Sequence, residues 1–148
     1  MVAKEGQIKS GIYNKDEITF EDAIASVKSS SNITEAGAIL SFTGIVRKTS
    51  EDGKPVNGLQ IDAYDELANQ TIEKICSDII KKYRVIDVRI IHLKGEFDIT
   101  DDLVYVIVAS AHRQEGFDAL RTAVERYKKE LTVWKRENFT DGNSEWVH

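Results

Sequence analysis

The sequence predicts an α+β fold in which helices pack on a largely antiparallel sheet. Apolar residues recur at helical spacing in three segments and follow strand patterns in four others. Along the chain these elements run helix, strand, strand, helix, strand, strand, helix. Strands that follow each other directly favour antiparallel pairing with helices packed on the sheet. The 148 residues are predicted to form one domain, 1–148, which is long enough to bury a core.

The first helix is predicted from the segment TFEDAIASVKSS. Thr19 can cap its N-terminus, and Asp22 lies three residues further on, which is the spacing of a capping box. The apolar residues that follow share one face of the helix: Phe20, Ala23, Ile24 and Val27.

Four segments have the patterns of strands. GAILSFTGIVR, residues 37–47, is rich in β-branched and aromatic residues, and LQIDAYDE, residues 59–66, alternates apolar and polar residues. VIDVRIIHLKGEF, residues 85–97, is the third strand. LVYVIVAS, residues 103–110, is almost continuously apolar and is predicted to be buried on both faces. Between the first two strands, the turn-rich TSEDGKPVNG predicts a hairpin or a mobile loop.

The second helix is predicted over residues 67–83, where an apolar stripe includes Cys76. A packed core thiol is therefore a better interpretation of Cys76 than a nucleophile. His92 lies inside the third strand and is interpreted as structural.

The last helix is predicted to start near Gly116. Five of its apolar residues form one stripe at about 100° per residue: Phe117, Leu120, Val124, Tyr127 and Leu131. Arg121 and Lys128 lie roughly 70° from the centre of that stripe, at its border. A border lysine can lay its methylenes on the core and direct its amine into a cleft, where partial desolvation favours the neutral form.

The charge of the chain is uneven. The net charge is −5, yet residues 112–136 carry seven Lys or Arg and four Asp or Glu, a local charge of +3. An acidic protein repels nucleic acid over most of its surface, so no nucleic-acid partner is expected. The basic region indicates a small anionic ligand or an acidic partner tail. A solvated helix face with mixed charges is the alternative.

Composition also limits location and metal chemistry. No apolar run approaches the roughly 20 residues of a membrane span, and the N-terminal segment has no apolar stretch of signal-peptide length. A cytoplasmic location without membrane attachment is therefore expected. Cys76 is the single cysteine, and the three histidines show no ligand-like spacing, so no disulfide and no structural metal are expected.

Three short motifs predict an anion pocket. SAHR places His112 and Arg113 between a buried strand and a helix, where helix N–H groups attract anions. Arg47 ends the strand that contains Gly44, whose missing side chain can let a ligand or a backbone approach. WKRE adds Lys135 beside the aromatic Trp134.

Each motif also has a simpler interpretation: a polar turn, a strand-end cation in solvent, and an aromatic anchor after the helix. There is no nucleophile elbow, catalytic triad spacing or nucleotide-binding glycine loop. The residues alone therefore predict a pocket built from cations of these motifs and of the last helix, without defining a reaction: Arg47, His112, Arg113, Lys128 and Lys135.

The ordered set of motifs resembles the large, catalytic subunit family of molybdopterin synthase. The matching segments are GAILSFTGIVR, the apolar strand leading into SAHR, YKKELTVWKRE and the closing EWVH. The resemblance spans roughly residues 8–147, nearly the whole chain.

The resemblance implies an α/β hammerhead core with an added β subdomain, and a homodimer within a heterotetramer. Each protomer would bind a small ubiquitin-like sulfur-carrier subunit whose Gly-Gly tail ends in a thiocarboxylate. Two sulfurs would be transferred to cyclic pyranopterin monophosphate, forming the dithiolene of molybdopterin. The family implies no metal, ATP or other cofactor on this subunit, because a different enzyme charges the carrier.

The resemblance also assigns roles to individual residues. Lys128 and Lys135 match the catalytic lysines, which would stabilise the thiocarboxylate and the tetrahedral intermediate and could shuttle protons. The remaining matches line the substrate pocket: Arg47, His112, Arg113, Phe42 and Glu137. Family members often continue with a basic C-terminal tail that reaches the neighbouring protomer, whereas this sequence stops at His148.

Two other functions are compatible with the same residues. A non-catalytic module that binds a phosphorylated metabolite would use the cluster of Arg47, His112 and Arg113 but would not need the two lysines as a pair. A scaffold that presents an edge strand or a basic groove to an acidic partner would bind the carrier without turnover.

Overall fold

A computed structural model describes residues 7–147, which form seven strands and three α-helices. The strands are β1 Gly11–Asn14, β2 Ala38–Ile45, β3 Val56–Ala63, β4 Asp87–Asp98, β5 Asp102–Ser110, β6 Val133–Phe139 and β7 Ser144–Val147. The helices are α1 Phe20–Lys28, α2 Asp65–Tyr83 and α3 Arg113–Glu130, and a short 3-10 helix spans Ile33–Glu35. None of the helices in this part of the chain is long and apolar enough to cross a membrane.

The strands pair in the order β2-β5-β4-β3-β6-β7, with every pair in that series antiparallel. β1 lies off this path and pairs with β4 in parallel. The predicted α+β class with a mostly antiparallel sheet is confirmed. β3, β6 and β7 extend the sheet beyond β4 and carry part of the candidate site.

Three strands and one helix start differ from the prediction. β1 and β7 have only four residues each, too few to show a clear alternation. β6 contains the polar run KREN, which hides its strand character. α3 begins at Arg113 and not near Gly116, because the polar first turn RQE has no apolar residue to mark it. The capping box of α1 is confirmed: the Thr19 hydroxyl accepts a hydrogen bond from the Asp22 backbone N–H at 3.1 Å.

The sheet separates two apolar cores. α2 and α3 cover one face and bury Val104, Val106 and Val108 of β5. α1 covers the other face, where Tyr105 and Ile107 of the same strand are buried. β5 is therefore buried on both faces, as its continuous apolar sequence predicts. Cys76 lies in the first core and is buried, in agreement with its interpretation as a core thiol, and burial raises the pKa of its thiol to about 11.

α3 packs on the sheet through small residues. Its buried face consists of Gly116, Ala119, Ala123 and Tyr127, whereas Phe117 is 55% exposed. A Cβ on Gly116 would lie 2.6 Å from Leu40 Cδ1. The predicted stripe was centred on the large apolar residues, and the true buried face is rotated from it by roughly 75° at 100° per residue.

A glycine at the start of β2 permits a close approach to the strand end that leads into α3. The Gly37 N–H donates to the Ser110 carbonyl at 2.9 Å, and a Cβ on Gly37 would lie 2.5 Å from the Ala111 carbonyl oxygen. A backbone oxygen cannot move aside without displacing the strand. Because of this contact, a side chain at position 37 is expected to destabilise the fold.

Gly37→Ala is expected to lower the free energy of unfolding by about 1–3 kcal/mol, because the added methyl overlaps a fixed carbonyl. Chemical denaturation measures the change. Thr34→Ala, an exposed substitution three residues away, is the matched control and should stay within about 0.5 kcal/mol of the parent. Equal stability of the two variants would show that the approach of the Ala111 carbonyl does not exclude a methyl group at position 37.

Candidate active site

A cleft of about 470 Å³ lies between the chain after β2 and the strands β6 and β7. Apolar residues from the sheet, including Leu59 and Leu103, form part of its wall. Its charged lining combines cations and carboxylates: Arg47, Lys135, Glu51, Asp52, Glu137 and Glu145. The cleft therefore contains three of the seven residues that the sequence predicted for the site, namely Arg47, Lys135 and Glu137.

β6 directs Lys135 and Glu137 to the same side of the sheet, since alternate residues of a strand share a face. Lys135 is held between Ile61 of β3 and Val147 of β7, its Cα partners on the two flanking strands. Pairing of β6 with both flanking strands therefore fixes the backbone position of Lys135. Trp134, predicted as a possible anchor, is 49% exposed and lies on the opposite face.

Lys135 is the desolvated lysine of the site. Burial lowers the pKa of Lys135 below its ordinary value, and the positive charge of Lys128 lowers it further, while the carboxylate of Glu137 raises it. A lysine in this environment releases a proton more readily than one in water. It can act as a cation toward an anionic ligand or, after losing a proton, as a base.

Lys128 lies in the last turn of α3 and is exposed, so the partial desolvation predicted for it is wrong. The rotation of the buried face explains the error, because Lys128 then lies about 135° from its centre and not at its border. Its ammonium nitrogen is 5.9 Å from the ring centroid of Tyr127. The charge of Lys128 nevertheless reaches Lys135, as the lowered pKa of that residue indicates.

The segment between β2 and β3 is an ordered hairpin that brings carboxylates into the cleft. Thr49 pairs with Pro55, and the Ser50 hydroxyl donates to Asp52 at 2.5 Å. Burial, followed by the charge of Asp52, raises the pKa of Glu137, and Arg47 opposes this shift. Sequence reasoning missed Glu51, Asp52 and Glu145 as cleft residues, because nothing in the polar loop signals which way it folds.

Phe42 and Gly44 of β2 face the end of α3. Phe42 is half-buried and packs against the core that contains Tyr127. A Cβ on Gly44 would lie 2.8 Å from Val104 Cγ1 and 3.8 Å from the Tyr127 hydroxyl. Gly44 therefore admits neighbouring side chains, whereas the sequence predicted the approach of a ligand or a backbone.

His112 and Arg113 are exposed at the N-terminus of α3 and do not line the cleft. Arg113 and Lys128 are 15 residues apart on one helix, a separation of about 22 Å at 1.5 Å per residue. β2 itself, Ala38–Ile45, spans about 23 Å between its first residues, beside the His112 end, and the end that leads to Arg47. Within one chain, the residues of the predicted single pocket are thus divided into two groups at opposite ends of α3 and β2.

The end of the chain contributes less to the site than its motif suggests. In EWVH, Val147 and Glu145 line the cleft, while Trp146 stacks near Arg136, with the guanidinium carbon 5.8 Å from the ring centroid. His148 lies outside the described residues. Within residues 7–147, no three His, Cys, Asp or Glu side chains are grouped as a metal site requires.

Replacing Lys128 with alanine is expected to raise the pKa of Lys135, because removing a nearby positive charge favours the protonated amine. NMR titration of isotope-labelled lysine side chains measures the shift. Lys129→Ala removes an exposed charge from the adjacent position and is the control. An identical Lys135 titration in both variants would show that Lys128 is not coupled to it.

Comparison with known proteins assigns the fold and motifs to a family. The MoaE protein family matches residues 13–130. The molybdopterin synthase catalytic subunit of Pyrococcus abyssi is 36% identical over 96% of this chain and 93% of its own length. The protein of the same name from Thermoplasma volcanium is 38% identical over 76% of this chain and 81% of its own.

Solved structures agree with the sequence relatives. A molybdopterin synthase structure from Staphylococcus aureus superposes with a TM-score of 0.84 at 28% identity, covering 96% of this chain and 98% of that one. The subunit complex of a molybdopterin-converting factor from Helicobacter pylori matches at a TM-score of 0.72 and 18% identity, over 93% of this chain and 88% of that one, and so shares the fold. The family predicted from the sequence motifs is confirmed: the chain belongs to the MoaE protein family.

Proposed function

We propose that this chain is the catalytic subunit of a molybdopterin synthase. It transfers sulfur from the C-terminal thiocarboxylate of a small ubiquitin-like carrier to cyclic pyranopterin monophosphate, forming the molybdopterin dithiolene. The names of the relatives that cover most of this chain support the assignment. The observation that carries it is a desolvated Lys135 in the lining of a cleft, whose pKa is lowered further by the positive charge of Lys128.

The partner follows from the same family. The Helicobacter pylori structure is a complex of subunits 1 and 2 of a molybdopterin-converting factor, which supports a second subunit for this chain as well. The tail of the proposed carrier ends in an anion, and the two lysines provide the positive charge that would attract it. We place the carrier tail in the cleft, with its terminal group toward Lys135.

Lys135 and Lys128 would stabilise the negative charge of the thiocarboxylate and of the oxyanion that forms during sulfur transfer. The thiocarboxylate sulfur attacks a carbon of the pterin and displaces an oxygen from it, as a phosphate oxygen when the cyclic phosphate opens and as water in the other round. Water then cleaves the acyl–sulfur bond, so that the carrier leaves as a carboxylate and the sulfur stays on the substrate. Two such rounds give the dithiolene. The ammonium groups stabilise the thiocarboxylate and the tetrahedral oxyanion of the cleavage step, and a neutral Lys135 can accept a proton.

Glu137 would carry a proton close to Lys135, and Arg47 would bind the substrate. The raised pKa of Glu137 favours a carboxyl group that can carry a proton close to Lys135. Arg47 lines the same cleft and can donate two parallel hydrogen bonds to two oxygens of a phosphate. Phe42 offers an apolar surface beside the end of α3.

His112 and Arg113 would bind substrate in the cleft of a second copy of the chain. They lie about 22 Å from Lys128 in their own chain, too far to touch the same small substrate. A homodimer within a heterotetramer can bring this end of α3 to the cleft of the partner, where the pair would bind the substrate phosphate.

The proposal is tested by reconstitution. The purified chain is mixed with a thiocarboxylated carrier and cyclic pyranopterin monophosphate, and the dithiolene product is measured. Lys135→Ala and Lys128→Ala are each expected to lower the rate by at least about 10²-fold, the loss typical of removing one oxyanion-stabilising group. Lys129→Ala should retain the parental rate.

The outcomes separate the three candidate functions. Normal turnover in both lysine variants would favour a binding module that uses the phosphate-binding residues alone. Carrier binding without product in the parent chain, with a cognate carrier, would favour the scaffold.

If each site takes residues from both chains of a dimer, two inactive variants should complement each other. Arg113→Ala and Lys135→Ala chains, mixed and allowed to exchange subunits, form heterodimers in which one of the two sites has both residues intact. Activity of the mixture, assayed below the KM, should recover to about a quarter of the parental value, since random pairing makes half of the dimers mixed. Each variant alone should stay low. Absence of recovery after verified exchange would show that Arg113 does not contribute to the cleft of a partner chain.

A further inference from the structure

Arg47 lines the cleft from a segment that belongs to no strand. β2 ends at Ile45, and β3 begins only at Val56. The Arg47 side chain is exposed and has no salt-bridge partner among residues 7–147. The position of this cation in the cleft therefore depends on how the backbone around it is fixed.

A shift in strand pairing redirects the chain just before Arg47. The register between β2 and β5 changes between Gly44 and Ile45, which leaves Leu103 without a partner on β2. Such a bulge bends the strand pair and changes the direction in which nearby side chains point. Leu103 and Arg47 both line the cleft.

The turn between β4 and β5 holds the residue before Arg47 by both of its backbone groups. The Thr100 N–H donates to the Val46 carbonyl at 2.9 Å, and the Val46 N–H donates to the Asp101 carbonyl at 3.1 Å. Val46 itself is buried. On the other side of Arg47, the Lys48 carbonyl accepts a hydrogen bond from the first residue of β3 at 2.8 Å. Arg47 thus lies between two residues whose backbones are fixed.

Asp101 closes the β4–β5 turn with its side chain. Its carboxylate accepts a hydrogen bond from the Asp98 N–H at 2.7 Å and forms a salt bridge with Lys15, directly after β1, at 2.9 Å. The backbone of Lys15 is held in turn, because its N–H donates to the Lys94 carbonyl at 2.8 Å. The hydrogen bond from Asp98, followed by the contact with Lys15, lowers the pKa of Asp101, so the carboxylate stays ionised in the neutral range.

The turn depends on these contacts because one of its residues is strained. Thr100 has a φ of 74°, in the left-handed region that a β-branched residue rarely adopts. Strain of this kind persists only where the surrounding structure imposes it. The Asp101 carboxylate and the two hydrogen bonds with Val46 are contacts that impose it here.

We propose, building on the proposed function, that Asp101 is a positioning residue for Arg47. Its carboxylate fixes the turn, the turn fixes the Val46 backbone, and the guanidinium of Arg47 is thereby held in the cleft for the substrate phosphate. Asp101 does not line the cleft, so it acts through Arg47 alone.

The first test uses the chain alone. Hydrogen exchange followed by NMR reports the contact directly, because the Val46 and Thr100 amides are the two donors. Asp101→Ala is expected to speed exchange of both amides at least about 10-fold without a matching change in the centre of β5. Asp101→Asn keeps an acceptor for the Asp98 N–H and should retain the parental protection. Unchanged protection of Val46 in a folded Asp101→Ala chain, or equal acceleration throughout β5, would overturn the proposal.

The second test asks whether the effect reaches the substrate through Arg47. In the reconstituted reaction, Asp101→Ala should raise the KM for the pterin several-fold with little change in kcat, and Arg47→Ala should raise it further. In the Arg47→Ala background, Asp101→Ala should have no additional effect on KM, whereas additive effects would contradict the proposal. Asp98→Asn is the matched control and should keep the parental KM, because the Asp98 carboxylate has no hydrogen-bond or salt-bridge partner among the described residues.

A second variant covers the case in which Asp101→Ala does not fold. Lys15→Met removes the salt bridge but leaves the hydrogen bond within the turn. It should change the exchange of Val46 and the KM in the same directions by smaller factors. Parental values in both measurements would overturn the proposal.

Failure of the proposed function is distinguishable from failure of this inference. Hydrogen exchange needs neither the carrier nor the pterin, so the contact is tested even if the parent chain forms no product. Titration with inorganic phosphate, followed at the Arg47 amide, then replaces the KM. Asp101→Ala should weaken phosphate binding several-fold. Equal affinity in both chains, or no phosphate binding by the parent, would overturn the positioning role.

Discussion

The close packing of α3 on β2 and β5 is the constraint on which the rest of the site depends. Gly116, Ala119 and Ala123 let the helix approach until Tyr127 reaches the position beside Gly44. Small side chains bury little apolar area, so this contact is favoured by its fit and by the apolar residues around it. The packing fixes the C-terminal end of α3, with Lys128, near β6, and its N-terminal end, with Arg113, about 22 Å away. The cations of a single chain are therefore separated into two groups.

A second constraint is electrostatic. β6 brings Lys135 into a partly buried position, where a charged amine is disfavoured, and α3 adds a second cation nearby. The carboxylate of Glu137 and the acidic hairpin after β2 offset part of that charge. An anion bound beside Lys135 would favour the protonated form of its amine. A lysine whose protonation responds to a bound anion suits a reaction that both binds an anion and moves protons.

Much of the fold could be predicted, because its signals are local. The capping box at Thr19 and the apolar run of β5 depend on neighbours in the sequence, and both are confirmed. β6 could not be found, since its alternate residues point into a polar cleft and look like a loop. The buried face of α3 was misplaced because glycine and alanine carry the contact while Phe117 is exposed. Which residues share a cleft depends on distances across the sheet, which residue patterns do not encode.

The most direct test of the account is a structure of this chain with its thiocarboxylate carrier. We expect the terminal group of the carrier tail to lie within hydrogen-bond distance of Lys135 Nζ, about 3 Å, inside the cleft. We also expect His112 of a second copy to face the same cleft. A tail bound instead on the opposite face of β6, beside Trp134 and Trp146, would contradict the account, because the desolvated lysine would then have no part in sulfur transfer.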